Sequence, residues 1–269
     1  MASANDNAVT GTPAEVYEQH IVPAVFDPWT EALVEFIRPT TGISALDVGC
    51  GTGAMTRKLI DRVGPAGRVV GLDYDTGMIA VARTLEPGIE WHIADAQAMP
   101  FGDDEFDLVA CHEGLQFLPD RAAGLNEMCR VMRPAGQLGL AVWRSSDLCP
   151  GHHALGQALG KWVSPEMAKL PPFSLSDADE LRALVRGVGF EDVLVEPVKK
   201  TVRFSSTSRF TESMLAGASA KTREALSHLP PDNKEAFTKD VEELLAPYES
   251  EHGLEFPMEA HFVLARSPK

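Results

Sequence analysis

Short apolar runs recur along the first half of the chain and alternate with stretches whose apolar residues fall on one helical face. The runs are Ser44–Val48, Arg68–Leu72, Ile89–Ile93, Phe106–Cys111 and Gln137–Val142. Each is bounded by polar or glycine-rich residues, the pattern of strands buried inside a sheet. Between the first two, Ala54–Val63 places Met55, Leu59, Ile60 and Val63 on one face of a helix. Between the second and third, Thr76–Leu85 follows Asp75, a residue type that caps helix N-termini. Between the fourth and fifth, the spacing predicts a helix over Arg121–Met132, stopped and turned by Arg133-Pro134-Ala135-Gly136. Strand and helix in alternation predict a parallel sheet with helices on both faces.

The flanks depart from this rhythm. Val16–Ile37 carries apolar residues at helical spacing together with Pro23 and Pro28, which predicts one or two helical pieces within a preface spanning residues 1–43. After the core at 44–143, Arg144–Phe173 gathers Pro150, Gly151, Pro165, Pro171 and Pro172 around a short helix near Ala154–Trp162, with His152-His153 expected in a solvated loop. Ser176 and Asp179 form a capping-box-like pair ahead of Leu181, Leu184 and Val185, and Gly187 or Gly189 can end that helix. A sixth strand is expected near Phe190–Phe204, a helical section over Ser208–Pro247, and a last strand over Glu259–Ala265. The chain therefore reads as one domain with insertions at 144–175 and 205–258, which can act as lids over a binding site.

Charge removes some partners. The 24 Lys and Arg residues against 39 acidic ones give a formal charge of -15, which repels phosphate backbones and argues against nucleic acid as substrate. Met1–Gly11 is polar, without a signal-peptide pattern, and no apolar run approaches the ~20 residues of a membrane span. A cytoplasmic protein is expected. Cys50, Cys111, Cys129 and Cys149 are scattered without a CxxC pair, so reduced packing thiols, and no metal site, are expected. No feature of the sequence speaks to oligomeric state.

The chemistry concentrates at Leu46-Asp47-Val48-Gly49-Cys50-Gly51-Thr52-Gly53, a strand joined to a helix through a glycine-rich turn where backbone and ligand can approach closely. Gly49, Gly51 and Ala54 also satisfy the loose dinucleotide pattern, with Asp73 about ~20 residues on, so an NAD-dependent oxidoreductase stays open at this point. Three further features favour S-adenosylmethionine (SAM): Asp47 at the end of the first strand, a helical segment before it, and Asp95-Ala96 after the third.

With Val70-Gly71-Leu72-Asp73, Ala94-Asp95-Ala96, Met99-Pro100-Phe101, Phe106-Asp107-Leu108-Val109 and Arg130–Gly136 added, residues from about 40 to 142 resemble the class I SAM-dependent methyltransferases, in particular the type 11 branch of ubiquinone and menaquinone biosynthesis. The resemblance implies a Rossmann-like, seven-stranded, mostly parallel α/β sheet with helices on both faces. It also implies SAM as cofactor, S-adenosylhomocysteine (SAH) as product and a small-molecule acceptor. In its terms Gly49 and Gly51 approach the amino-acid part of SAM, Asp47 also binds cofactor, Asp73 takes both ribose hydroxyls, Tyr74 lies beside it, Met78 packs on adenine, and Asp95 with the Ala96 backbone reads the adenine edge. A non-catalytic SAM-binding regulatory protein is the other reading compatible with these residues.

The fourth strand runs into Cys111-His112-Glu113-Gly114-Leu115-Gln116, near where the family exposes residues to the SAM sulfur and to the acceptor. His112 is the first catalytic candidate, because imidazole can take a proton near neutral pH, and it can also contact the cofactor. Glu113 and His20 follow as candidates. Tyr17 and His20, three apart on the preface helix, can share a face, and with Phe26 and Trp29 they can shield the sulfonium. O, N and C methylation all remain open on these residues.

Overall fold

A computed structural model of the chain describes residues 10–268. Most of the polar start judged to lack a signal pattern, residues 1–9, lies outside the described residues. In chain order the elements are α1 (Pro13–Val16), a π-helical segment (Tyr17–Phe26), α2 (Asp27–Ile37), β1 (Ser44–Val48), α3 (Ala54–Val63), β2 (Arg68–Asp73), α4 (Thr76–Leu85) and β3 (Glu90–Ile93). There follow β4 (Phe106–His112), α5 (Arg121–Arg130), β5 (Met132–Trp143), α6 (Pro150–Trp162), α7 (Ala178–Gly187) and β6 (Glu191–Phe204). The last are α8 (Thr207–Ala216), α9 (Ala220–Ser227), α10 (Pro231–Leu245), β7 (Glu249–Ser250) and β8 (Gly253–Arg266).

The strands form one sheet in the order β3-β2-β1-β4-β5-β8-β6, with β7 paired to β8. Pairings among β1 to β5 are parallel, and β8 runs antiparallel to β5. Eight strands among the described residues replace the expected seven, the addition being the two-residue β7.

The described residues gather into two compact units, each taken by itself. One comprises 26–145, 171–198 and 259–268; the other comprises 10–25, 146–170 and 199–258. In the first, side chains alternate across the sheet as strand geometry requires. Leu46, Val70, Val109, Leu138 and Leu140 face one way and pack with Leu125 and Met128 of α5 and Leu181 and Val185 of α7. Burial of each such side chain contributes about 1.5–3 kcal/mol. The alternate residues Trp143 and Phe262 face α2, whose Trp29 meets them edge-on at 5.1 and 5.9 Å. In the second unit Phe210 packs between Phe204 and Phe256, and Gly151 passes so close that a Cβ there would stand 2.4 Å from the Phe256 ring.

Several local expectations are corrected. Helix α5 stops at Arg130, and Arg133–Gly136 continues as β5, bulging opposite Asp107 with Ala135 at φ 60°. The bulge accommodates Pro134, which has no N–H to give a ladder. Asp177, rather than Ser176 with Asp179, caps α7 through bonds from the Asp179 and Glu180 N–H groups at 2.9 and 2.8 Å. The last strand begins at Gly253, well before Glu259. His152 is buried on α6, which already starts at Pro150, instead of lying in a solvated loop. The preface is helical from Pro13 to Ile37, but its middle is π-helical, so Tyr17 and His20 do not share a face as residues three apart on an α-helix would.

Candidate functional site

Chain order reverses between β1 and β4, leading to β2 and β3 on one side and to β5 on the other. The carboxyl ends of β1 and β4 therefore open the crevice in which open α/β sheets take ligands. The glycine loop leaves β1 here. Gly49, Gly51 and Gly53 have φ of 70°, 56° and 88°, in a region that costs other residues about 1–2 kcal/mol. The Gly49 and Cys50 N–H groups both donate to the Leu72 carbonyl, at 2.8 and 3.0 Å, pinning the loop to β2. A Cβ on Gly53 would stand 2.6 Å from the Trp91 ring, whereas on Gly49 it would meet only the Gly114 Cα at 3.6 Å. Trp91 thus supports the loop from below, and Gly49 and Gly114 let the two strand ends approach. Helix α3 then starts with neither a side-chain cap nor an acidic residue in its first turn, which leaves N–H groups and the positive end of the helix dipole for an anion.

Asp47 is fully buried beneath this loop. Its Oδ2 accepts from the Thr56 hydroxyl at 2.6 Å, and its Oδ1 has no partner among the described residues. Asp73, at the end of β2, accepts the Gly51 N–H on Oδ2 and the Asp75 N–H on Oδ1, both at 2.8 Å. Burial raises its pKa, even though those bonds favour the charge. A carboxylate with one bond to each oxygen retains lone pairs for further donors. Asp75 caps α4 as expected, with bonds from the Gly77 and Met78 N–H groups. Met78 is half-buried in the first turn of that helix, and Tyr74 is 79% exposed. Asp95 is exposed and accepts from the Gln97 N–H and side-chain amide, which hold its carboxyl below the usual range. Ala96 sends its side chain into the core.

Beyond β4 the chain stays buried. Burial pushes the Cys111 thiol up to about 12, as expected of a packing cysteine. The His112 ring lies edge-on to Phe26 at 5.8 Å, and Phe26 lies 6.3 Å from Trp143. Burial pushes the His112 pKa down to about 3, so the imidazole is held neutral. Glu113 has φ 55°, yet its N–H still reaches the Ala141 carbonyl at 2.9 Å. Its carboxyl is pushed up to about 8 by burial, against the opposing bond from Gln116 Nε2 to Oε2 at 2.7 Å. Tyr17 and His20 belong to the other unit, both half-buried, and burial and then the charge of Arg209 lower the His20 pKa.

Trp91, Gly53, Gly114 and Gln116 were not singled out as site residues from the sequence. The spacing of Glu113 and Gln116 was readable, but only their shared burial gives it meaning. The quoted Met99–Phe101 and Arg130 motifs meet in space: Arg130 donates to the Phe101 and Met99 carbonyls, while Glu127 takes the Met99 N–H at 2.7 Å. They hold the segment after β3 in place.

Residues 45–136 match the family model described as Methyltransferase domain. The chain is also 33% identical over 196 residues to the demethylmenaquinone methyltransferase of Staphylococcus carnosus (strain TM300), covering 67% of this chain and 78% of that one. The chain belongs to the class I SAM-dependent methyltransferases. SAM is its cofactor, and its reaction is methyl transfer to a small-molecule acceptor; the NAD-dependent alternative is overturned. The methyltransferase is likewise 39% identical over 140 residues to the 2-phytyl-1,4-naphtoquinone methyltransferase of Thermosynechococcus vestitus, covering 51% of this chain and 62% of that one. Among solved structures it is similar to Haemonchus contortus phosphoethanolamine N-methyltransferase 2 in complex with S-adenosyl-L-methionine, with TM-score 0.60, 20% identity, and 95% and 57% coverage of this chain and that one. It is similar also to the [4+2]-cyclase SpnF, with TM-score 0.53, 21% identity, and 98% and 85% coverage. At these identities the two structures share the fold alone. No described helix is long and apolar enough to cross a membrane.

The buried groups give the methyltransferase a defined pH response. Burial raises Asp47 to about 7 and Glu113 to about 8, so the folded state holds these two protons more tightly than the unfolded chain. Their stabilising contribution is complete below about pH 4 and is lost as pH rises through those values. His112, lowered to about 3, has the opposite sign, and its contribution is lost as pH falls below about 6.5. Of these groups only the carboxyls act above that pH, and the unfolding free energy is expected to fall by about 3 kcal/mol between about pH 6.5 and 8.5. Urea denaturation of the ligand-free protein measures this, and Glu113→Gln should flatten most of the slope. A level profile in the wild type would contradict both buried carboxyls.

Proposed function

We propose that SAM is held at the β1/β4 crevice by Asp47, Gly49, Gly51, Asp73, Tyr74, Met78, Asp95 and the Ala96 backbone, with Phe26 and His112 beside the transferred methyl group, and that the acceptor is an aromatic ring bearing a hydroxyl. The observation that carries the reading is the unpartnered Asp47 Oδ1 beneath an open glycine loop, next to an uncapped helix N-terminus. A buried acceptor oxygen and free helix N–H groups suit the ammonium and carboxylate of an amino acid, and Asp73 suits a ribose diol. When bound, SAM supplies an electrophilic methyl group on a sulfonium. The protein's part is alignment and water exclusion, which can contribute roughly 7–11 kcal/mol. Phe26, Trp29 and Trp143 form an aromatic cluster beside His112 that keeps water from that end of the strands.

The ring acceptor draws on the two relatives, both named for quinone methylation, and on the same aromatic cluster. Tyr17 and His20 stay candidates on the sequence reading alone. The segments 144–175 and 205–258 are proposed to select the acceptor, because they depart from the repeating sheet pattern; a bound acceptor should slow their amide exchange. Acidic charge and scattered thiols support a cytoplasmic setting.

Incubation with methyl-labelled SAM and 1,4-dihydroxynaphthalene is the direct test. Labelled product together with equimolar SAH is expected. SAM binding without transfer to this or any other hydroxylated ring would reject the ring-hydroxyl acceptor.

A further inference from the structure

We propose that Glu113, held by Gln116, is the group that takes the proton of the acceptor hydroxyl during methyl transfer, in place of His112. The inference rests on the ring-hydroxyl reading above and begins from unsatisfied hydrogen bonding. Glu113 and Gln116 are 6% and 3% exposed, and Gln116 Nε2 donates to Glu113 Oε2 at 2.7 Å. Glu113 Oε1 and Gln116 Oε1 have no partner among the described residues, nor does His112 Nε2. Leaving a buried polar atom unpaired costs about 1–3 kcal/mol, so once Glu113 is ionised the two orphan oxygens call for a ligand that brings a donor. An O–H group is such a donor, whereas a bare carbonyl is not.

The backbone carries a second sign. Glu113 is a non-glycine residue in the left-handed region, between the end of β4 and the 3-10 turn Leu115–Phe117. Strain of this kind is concentrated at functional sites. The Glu113 side chain is nonetheless buried, and its N–H keeps the bond to the Ala141 carbonyl.

The step balances without a further reactant. The acceptor O–H bond breaks as its proton passes to Glu113 Oε1. The electron pair released on the acceptor, at the oxygen or at a ring carbon conjugated with it, forms the bond to the methyl carbon, and the pair of the breaking C–S bond stays on sulfur. Glu113 then loses its proton to solvent. A carboxyl raised by burial to about 8 is a stronger base than an ordinary carboxylate and a far stronger one than His112 at about 3. Gln116 Nε2 bonds to the carboxyl and, with the Trp143 backbone, favours its charge against burial, while no charged group shifts it. Of the titratable groups on the surrounding elements, Cys111 and His112 on β4 are neutral; Arg144 at the end of β5 is paired with Glu259, and Arg121 on α5 with Glu180.

The experiment measures single-turnover methyl transfer to 1,4-dihydroxynaphthalene against pH for the wild type, Glu113→Gln and Gln116→Leu, with SAH affinity recorded as the check on folding. The wild-type rate should rise about tenfold per pH unit up to about pH 8 and then level. Glu113→Gln should lower the rate by ~100-fold and move the rising limb up to the acceptor's own ionisation, with SAH affinity unchanged. Gln116→Leu should shift the limb rather than abolish it. Wild-type rate and limb in Glu113→Gln would overturn the proposal. If the wild type binds the probe without methylating it, affinity of the probe for the SAH-loaded protein is compared instead. At least ~10-fold weaker binding by Glu113→Gln supports the role, and equal binding overturns it. A wild type that neither binds nor methylates the probe overturns the ring-hydroxyl reading, and this inference with it.

Discussion

Asp73→Ala is expected to weaken SAM binding by ~100-fold or more, the largest effect on affinity among the substitutions considered. Two charge-assisted bonds to a ribose diol, each contributing about 1.5–3 kcal/mol, account for at least that factor. The structure adds a second contribution, because the same carboxylate accepts the Gly51 N–H and so helps shape the glycine loop. Asp73→Asn keeps the size and one acceptor oxygen, and should fall between the wild type and alanine. Isothermal calorimetry with SAM and SAH reads the effect, and circular dichroism confirms the fold. Unchanged affinity in a folded Asp73→Ala protein would place ribose recognition elsewhere.

The largest effect on stability is expected from Trp91→Ala. Trp91 is 7% exposed, packs with Cys50, Ile79 and Ala82, and donates its indole N–H to the Glu86 carbonyl at 2.9 Å. Removing a buried tryptophan side chain costs about 3–5 kcal/mol, which lowers the melting temperature by on the order of 10 °C in a chain of this size. Gly53 and Gly71 stand where a Cβ would come within 2.6 and 2.3 Å of this ring. Gly71→Ala should therefore destabilise the wild type and cost much less in the Trp91→Ala background, a coupling that a double-mutant cycle measures directly. Additive effects of the two substitutions would show that the ring does not enforce glycine at that position. SAM affinity should fall in Trp91→Ala too, since the loop loses its support.

What the sequence determined by itself was local. Apolar runs and helical stripes located the parallel strands and α3, α4 and α5, because period and capping act within a few residues. The turn from Leu46 to Gly53 and the acid at Asp73 marked the edge at which the cofactor is proposed to bind for the same reason: positive φ and strand-end carboxylates are written in residue type. Tertiary structure decided where neighbouring choices were equivalent or where distant residues set the chemistry. Ser176 and Asp177 are both capping types, and Asp177 takes the position while the ring of His261, remote in sequence, bonds to the Ser176 carbonyl at 3.0 Å. Pro134 read as an interruption, yet β5 runs through it by bulging at Ala135. Trp91 comes to lie across Gly71 only when β2 and β3 pair in that register. The sequence put His112 first as proton acceptor and Glu113 after it. Phe26, at the end of the π-helical segment, packs on the His112 ring, both residues are buried, and desolvation moves an imidazole and a carboxyl in opposite directions, so the histidine becomes the weaker base and the glutamate the stronger.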